Sequence, residues 1–165
     1  MDPKLKKWLT LARPFTLLPP LLGIISGAVC AWGSVHNPDP ARAVTWSVLF
    51  TVALGSITAS LLNAANNALN QIYDLEIDRV NKGKRPLPSG RLSIAQAWWF
   101  VRLTYALTLW LAWMVAPLGR HECFWIVVVA IIATYIYSVP PLRTKQRGWW
   151  ANITIAVPRG VLLKV

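Results

Sequence analysis

Residues 63–78 read Asn63-Ala64-Ala65-Asn66-Asn67-Ala68-Leu69-Asn70-Gln71-Ile72-Tyr73-Asp74-Leu75-Glu76-Ile77-Asp78. They follow an apolar run from about Ala43 to Asn63 and contain neither Pro nor Gly, so the helix that the run predicts should continue through them. On that helix Asn70, Asp74 and Asp78 are spaced i, i+4 and i+8 and share one face. Asn63, Asn66 and Asn67 lie on or near it one to two turns earlier, and Glu76 points away. Two carboxylates a turn apart repel each other and weaken a helix by roughly a few tenths of a kcal/mol. The penalty grows in the lower dielectric near a membrane, so something should offset it. A divalent cation is one answer, because Mg²⁺ is held by one or two carboxylates together with phosphate oxygens, and polar groups in membrane helices default to function. The other is a solvated helix end at which Arg79 or Lys82 neutralises the acids.

The remainder of the chain has the composition of a membrane protein. Of 165 residues, 55% are hydrophobic and 14% charged, and the mean hydropathy is +0.45. Soluble domains are about a quarter charged; disordered chains are polar and more charged still. Five apolar segments run from about Pro14 to Trp32, Ala43 to Asn63, Ala95 to Leu118, Cys123 to Ser138, and Trp149 to Val165. The first three reach the about 20 residues that cross a bilayer. The fourth is short, and the fifth carries Arg159 and Lys164. Lys4, Lys6 and Lys7 before an apolar run suggest a secretory signal, but the run is long for one and no small-residue cleavage site follows. Cys30 and Cys123 sit far apart in apolar sequence without metal-ligand spacing and are expected to be inert core residues.

The net charge of +11 is distributed in blocks. Lys4, Lys6, Lys7 and Arg13 precede the first segment. Arg79, Lys82, Lys84, Arg85 and Arg91 fill the 70–94 loop, and Arg143, Lys145 and Arg147 fill the 139–148 loop. The intervening loops, 33–42 and 119–122, carry one Arg each. This asymmetry places the N-terminus and both basic loops on the cytoplasmic side of a multi-pass protein, with Trp residues at the interfaces. Nucleic acid is not indicated, because the aromatic residues lie in or beside apolar spans rather than among basic residues on a soluble face.

The two basic loops also suit an anionic ligand. In Arg79-Val-Asn-Lys-Gly-Lys-Arg-Pro-Leu-Pro-Ser-Gly-Arg-Leu-Ser93, Pro86, Pro88 and Gly90 predict a rigid turn, and Ser93 is a candidate cap for the next helix. Arg85 and Lys84 stand a short loop away from the acids, as a diphosphate clamp needs: metal to bridge oxygens, guanidinium to neutralise the leaving group. For Lys82, Lys84 and Arg91, anionic lipid headgroups serve equally well. In the 139–148 loop, Pro140 and Pro141 stop the fourth helix, and Arg143, Lys145 and Arg147 alternate. An extended segment would present all three on one side, as a second half of the clamp or as a positive-inside anchor.

The run Asn70-Gln71-Ile-Tyr-Asp74-Leu-Glu-Ile-Asp78, followed by Arg85-Pro86-Leu87-Pro88-Ser89-Gly90, resembles the first aspartate-rich motif of the UbiA superfamily of intramembrane prenyltransferases. Ala12-Arg13-Pro14-Phe15-Thr16 is similar to that family's first-helix opening, and Tyr137-Ser-Val-Pro-Pro-Leu-Arg143-Thr-Lys145 to its fourth-helix exit. The resemblance covers the chain from about Trp8 onward. It implies an all-α, polytopic transmembrane bundle, one membrane domain over residues 1–165, built around a central cavity that opens laterally to lipid. It implies Mg²⁺ held by Asn70, Asp74 and Asp78, with Asp74 and Asp78 catalytic, and diphosphate contacts from Arg13, Asn70, Arg85, Arg143 and Lys145. The implied reaction ionises a polyprenyl diphosphate and transfers the prenyl group to an aromatic or other hydrophobic acceptor. The implied setting is membrane lipid, in the cell membrane of a bacterium or archaeon.

The sequence departs from the family in two respects. Position 71 is Gln where many members have Asp; the Gln variant resembles the homogentisate-type enzymes, whereas the YSVPPLR stretch is at least as similar to chlorophyll synthases. After residue 78 there is no Asp at all, so the family's second Asp-rich motif is missing. The expectation is therefore a bundle truncated to about five helices and poorly active alone. The competing expectation is a small non-catalytic membrane protein, a carrier or an assembly partner.

Overall fold

The structure, a computed structural model, describes residues 2–115 and 121–156. Its described elements are seven α-helices and two short 3-10 turns: α1 Pro3–Ala12, α2 Leu18–Gly33, α3 Trp46–Tyr73, α4 Leu75–Asn81, α5 Ile94–Met114, α6 Glu122–Ser138 and α7 Trp149–Ala156. The expected count of about five helices is corrected to seven, because a further helix, α1, precedes the first apolar segment and the second expected helix is interrupted at Asp74. Arg120, Arg159, Lys164 and the end of the fifth apolar segment lie outside the described residues.

The first interruption follows from Pro14. It has no N–H for the Thr10 carbonyl, Arg13 adopts the left-handed conformation (φ 59°), and a 3-10 turn spans Pro14–Thr16. The halves Leu5–Thr16 and Leu18–Gly33 meet at 46°. A bent helix strands carbonyls that must be satisfied away from water, and here α3 satisfies them. The Asn67 amide donates to Ala12 O (3.0 Å) and Thr16 Oγ1 (2.7 Å), Gln71 Nε2 to Leu11 O (2.8 Å), and Asn63 Nδ2 to Thr16 O. Asn63, Asn67 and Gln71 thus form an i, i+4, i+8 amide ladder that splints the break. Gln71 is buried. Gln71→Leu is expected to lower stability by about 1–3 kcal/mol, the penalty of leaving a buried carbonyl unpaired, read as an earlier thermal unfolding midpoint in detergent.

Among the described residues, α3 alone qualifies by length and apolar composition together as an unbroken membrane span, and the bent α1–α2 pair as a second. α5 and the apolar but shorter α6 do not meet both criteria, which narrows the expectation that three segments would span. α3 is the hub: its 28 residues reach about 42 Å and pack on α1, α2, α5 and α6. Buried Ala64, Ala65, Ala68 and Ala97 allow close helix approach. Leu11, Leu69, Leu75, Leu87, Leu92, Val101 and Val139 form the core at the α4 end of α3. Large apolar side chains elsewhere face outward, Phe50, Leu103, Trp110 and Trp125 among them, as they do where lipid is the solvent. Cys30 is also exposed on α2, so it is not a core residue, and Cys123 is half-buried.

The helix caps follow the sequence. Thr45 accepts from Val48 N to start α3, and Ser93 and Gln96 form a reciprocal capping box at α5. Between α4 and α5 the loop folds into the core rather than away from it. Leu87 and Leu92 are buried, Leu92 N donates to Pro86 O, and Gly90 (φ 74°) closes a turn on Leu87 O.

Candidate active site

The second interruption lies inside the acidic motif. The helix over residues 63–78 is not continuous: Asp74 has φ −99° and ψ 11°, and α4 begins at Leu75. Nevertheless Asp74 N donates to Asn70 O (3.0 Å) and Asp78 N to Asp74 O (2.8 Å). The i→i−4 register therefore survives the distortion, and Asn70, Asp74 and Asp78 remain successive turns of one face. Glu76 lies off that face, exposed, and pairs with Arg79 at 2.9 Å. Arg79 is thus engaged by Glu76 rather than by the motif.

Two loops deliver cations to these acids. Lys145 Nζ donates to Asn70 Oδ1 (2.7 Å) and Asp74 Oδ1 (2.6 Å). Arg143 Nη2 donates to Asp74 Oδ1 (2.9 Å) and Tyr73 O (3.0 Å). Ser138 Oγ reaches Asn70 Oδ1 at 3.5 Å. One turn on, Arg85 pairs with the buried Asp78, and Lys82 Nζ stands 3.6 Å from its other oxygen. Burial pulls the Lys145 ammonium below its ordinary pKa, and the hydrogen bond and charge of Asp74 oppose that pull.

The 139–148 loop is not the extended segment that alternation suggested. Arg143 is left-handed (φ 35°, ψ 56°), and a 3-10 turn covers Thr144–Gln146. That turn brings Arg143 and Lys145 together on Asp74. Arg147 leaves the group and donates to Pro141 O. Arg13 makes no hydrogen bond or ion pair to the cluster among the described residues; the break fixes its backbone. Asn63 and Asn67 serve the splint rather than the acidic face, and Asn66 accepts from Tyr105 OH at 2.7 Å. Sequence reasoning missed Ser138, the Tyr73 carbonyl and Tyr105. Only the Asn63–Asn67–Gln71 spacing carried a visible signal for the splint.

In donor type the site fits Mg²⁺. Asn70, Asp74 and Asp78 offer oxygen only, and two carboxylates with one amide make the partial set that leaves room for phosphate oxygens and water. Among the described residues no group of three or more His, Cys, Asp or Glu is assembled, so a complete protein cage is not present there. The Arg143 Nε is buried with no acceptor, an orphaned donor that an anion's oxygen would satisfy. Neither of two cavities, about 400 Å³ beside the 34–45 loop and about 480 Å³ between α6 and α7, is lined by Asn70, Asp74 or Asp78.

Comparison with known proteins gives the family. Residues 17–163 match the UbiA prenyltransferase family. The chain is 31% identical over 157 residues to the bacteriochlorophyll synthase 33 kDa chain of Cereibacter sphaeroides, covering 94% of this chain and 47% of that protein. It is 31% identical to homogentisate phytyltransferase 1 of Arabidopsis thaliana, covering 93% of this chain and 37% of that one. The structure superposes on a UbiA homologue from Archaeoglobus fulgidus bound to DMAPP and Mg²⁺ with a TM-score of 0.75 at 25% identity, covering 96% of this chain and 52% of the other. A solved digeranylgeranylglyceryl phosphate synthase matches with a TM-score of 0.78 at 26% identity, covering 99% of this chain and 52% of the other. The chain spans about half the length of these relatives or less.

Proposed function

Because the chain belongs to the UbiA prenyltransferase family, whose members are integral membrane proteins, we propose that it carries the diphosphate-binding half of an Mg²⁺-dependent prenyltransferase. The observation that carries this reading is the convergence of Arg85, Arg143 and Lys145, from two separate loops, on Asn70, Asp74 and Asp78 along one helical register. The network is not charge-matched: four cations, Arg85, Lys82, Arg143 and Lys145, stand within ion-pair distance of two carboxylates. A diphosphate supplies the missing negative charge.

In the proposed reaction the C–O bond between the prenyl carbon and the diphosphate breaks, and the electron pair leaves with the diphosphate. The allylic cation is then captured by an aromatic or other hydrophobic acceptor, whose C–H or O–H proton is lost as the new bond forms. Asn70, Asp74 and Asp78 would hold Mg²⁺, which when bound neutralises phosphate oxygens and improves the leaving group. Arg85, Arg143 and Lys145 take up the charge that develops on the departing diphosphate, the term that usually dominates such catalysis. The C-terminal half of a longer relative would supply the remaining metal ligands and acceptor pocket.

The basic loops and the α1–α2 break gather at one end of α3, with the 34–45 loop at the other. This supports the cytoplasmic placement of the site. The test is retention of radiolabelled geranyl diphosphate by the reconstituted chain with and without Mg²⁺. Retention that requires Mg²⁺ and is competed by inorganic pyrophosphate is expected. A non-catalytic carrier or assembly partner predicts none.

A further inference from the structure

Lys145 bridges the first two residues of the acidic motif, with its ammonium at hydrogen-bond distance from both Asn70 Oδ1 and Asp74 Oδ1. Arg143 adds a second positive charge on the same carboxylate oxygen. The Lys145 side chain is only 11% exposed, so water screens its charge little. A divalent ion arriving alone meets a carboxylate already doubly countered, in a cluster whose contacting charges sum to a net positive value.

We infer that Lys145 is an internal counter-ion that keeps the Asn70–Asp74 oxygens closed to free divalent metal and yields them only when a diphosphate arrives with it. The inference rests on the diphosphate reading above and concerns the order and coupling of binding at that site. Diphosphate oxygens offer Lys145 and Arg143 a stronger acceptor than Asp74 alone, which frees Asn70 and Asp74 for the metal. The buried Arg143 Nε has no acceptor in the closed arrangement. The same residue holds a left-handed backbone that a side-chain-bearing residue rarely adopts. The orphaned Nε favours an arrangement in which an anion engages Arg143. Metal and diphosphate are then obligatory partners: each raises the other's affinity by the same factor. Such coupling keeps the acidic motif from being titrated by free magnesium and limits ionisation to the fully charged complex.

The coupling is measured by equilibrium dialysis of radioactive manganese against the full chain in detergent micelles, with and without inorganic pyrophosphate. Asp74→Asn, measured in parallel, subtracts manganese held elsewhere. The wild-type chain is expected to bind Mn²⁺ weakly alone and about tenfold or more tightly with pyrophosphate. Lys145→Met is expected to bind Mn²⁺ alone about tenfold more tightly than wild type and to lose most of the pyrophosphate enhancement. Lys145→Gln removes the charge but keeps a donor for Asn70, and it carries the same expectation if the Met variant does not fold. Suppose both variants bind Mn²⁺ alone no better than wild type, while wild type still takes up manganese with pyrophosphate. The counter-ion role is then overturned, and the prenyl diphosphate reading stands. If wild type takes up no manganese with pyrophosphate, both are overturned.

Discussion

Replacing Asp74 by alanine is expected to abolish prenyl transfer and the Mg²⁺ dependence of prenyl diphosphate uptake, while metal-free pyrophosphate binding, weak in the wild type, is gained. The two halves of this result come from the two faces of the residue's role. Asp74 supplies an oxygen donor in the motif, and the loss of one such electrostatic element from a reacting centre removes about 10²–10³-fold in rate. Asp74 also holds Arg143 and Lys145. Its removal leaves both cations without their carboxylate and free to meet an anion directly. Prenyl transfer measured in membranes, together with pyrophosphate binding in EDTA, separates the two effects. Asp74 is a better test than Asp78 because its side chain is 21% exposed against 4% for Asp78, so its removal disturbs the core less. Glu76→Ala is the control: Glu76 is 82% exposed and pairs with the exposed Arg79, a pair of the kind that contributes about 0–1 kcal/mol. Equal losses at positions 74 and 76 would remove the helical-face basis of the site.

How much of this was legible in the residues can be traced element by element. The shared face of Asn70, Asp74 and Asp78 follows from spacing, because the backbone ladder runs unbroken through all three residues. The distortion at Asp74 does not. Nothing in LNQIYDLEID announces a break, and the Tyr73 carbonyl is taken by an Arg143 guanidinium seventy positions along the chain. The Pro14 break has a local signal, but its repair by Asn67 and Gln71 depends on partners more than fifty residues away. A helical wheel sets Asn63 and Asn67 near the acidic face because it cannot tell which neighbour each side of the helix meets. Gln71 illustrates the consequence: it donates to Leu11 O and so belongs to the splint. Its identity therefore reports how the first helix is held rather than which acceptor is used. Likewise the alternation of Arg143, Lys145 and Arg147 implied one shared side. The left-handed turn at Arg143 instead selects the first two and releases the third.

Replacing Arg85 by methionine is expected to destabilise the protein by about 3–5 kcal/mol, the largest stability effect of any single substitution in the cluster. Asp78 is 3% exposed and its carboxylate is paired with Arg85. Removing the guanidinium leaves a buried charge with only Lys82 nearby, at 3.6 Å and half exposed, so solvent weakens what it can offset. The energy in question is mainly the penalty of stranding the carboxylate rather than the net worth of the pair. That distinction fixes the decisive comparison. Arg85→Met combined with Asp78→Leu should recover most of the lost stability, because the stranded charge is gone and an apolar side chain of similar size replaces it. The double variant should still fail to bind Mg²⁺ and prenyl diphosphate. Thermal unfolding of the single and double variants in detergent closes the cycle. Arg85 sits at the start of a loop whose Leu87 and Leu92 are buried in the core, so the loop remains anchored and limited proteolysis between residues 82 and 93 should change little. If the double variant were as unstable as the single one, the Arg85–Asp78 pair would be holding the loop in place. The positive charge at Arg85 would then have to be explained by architecture rather than by a diphosphate.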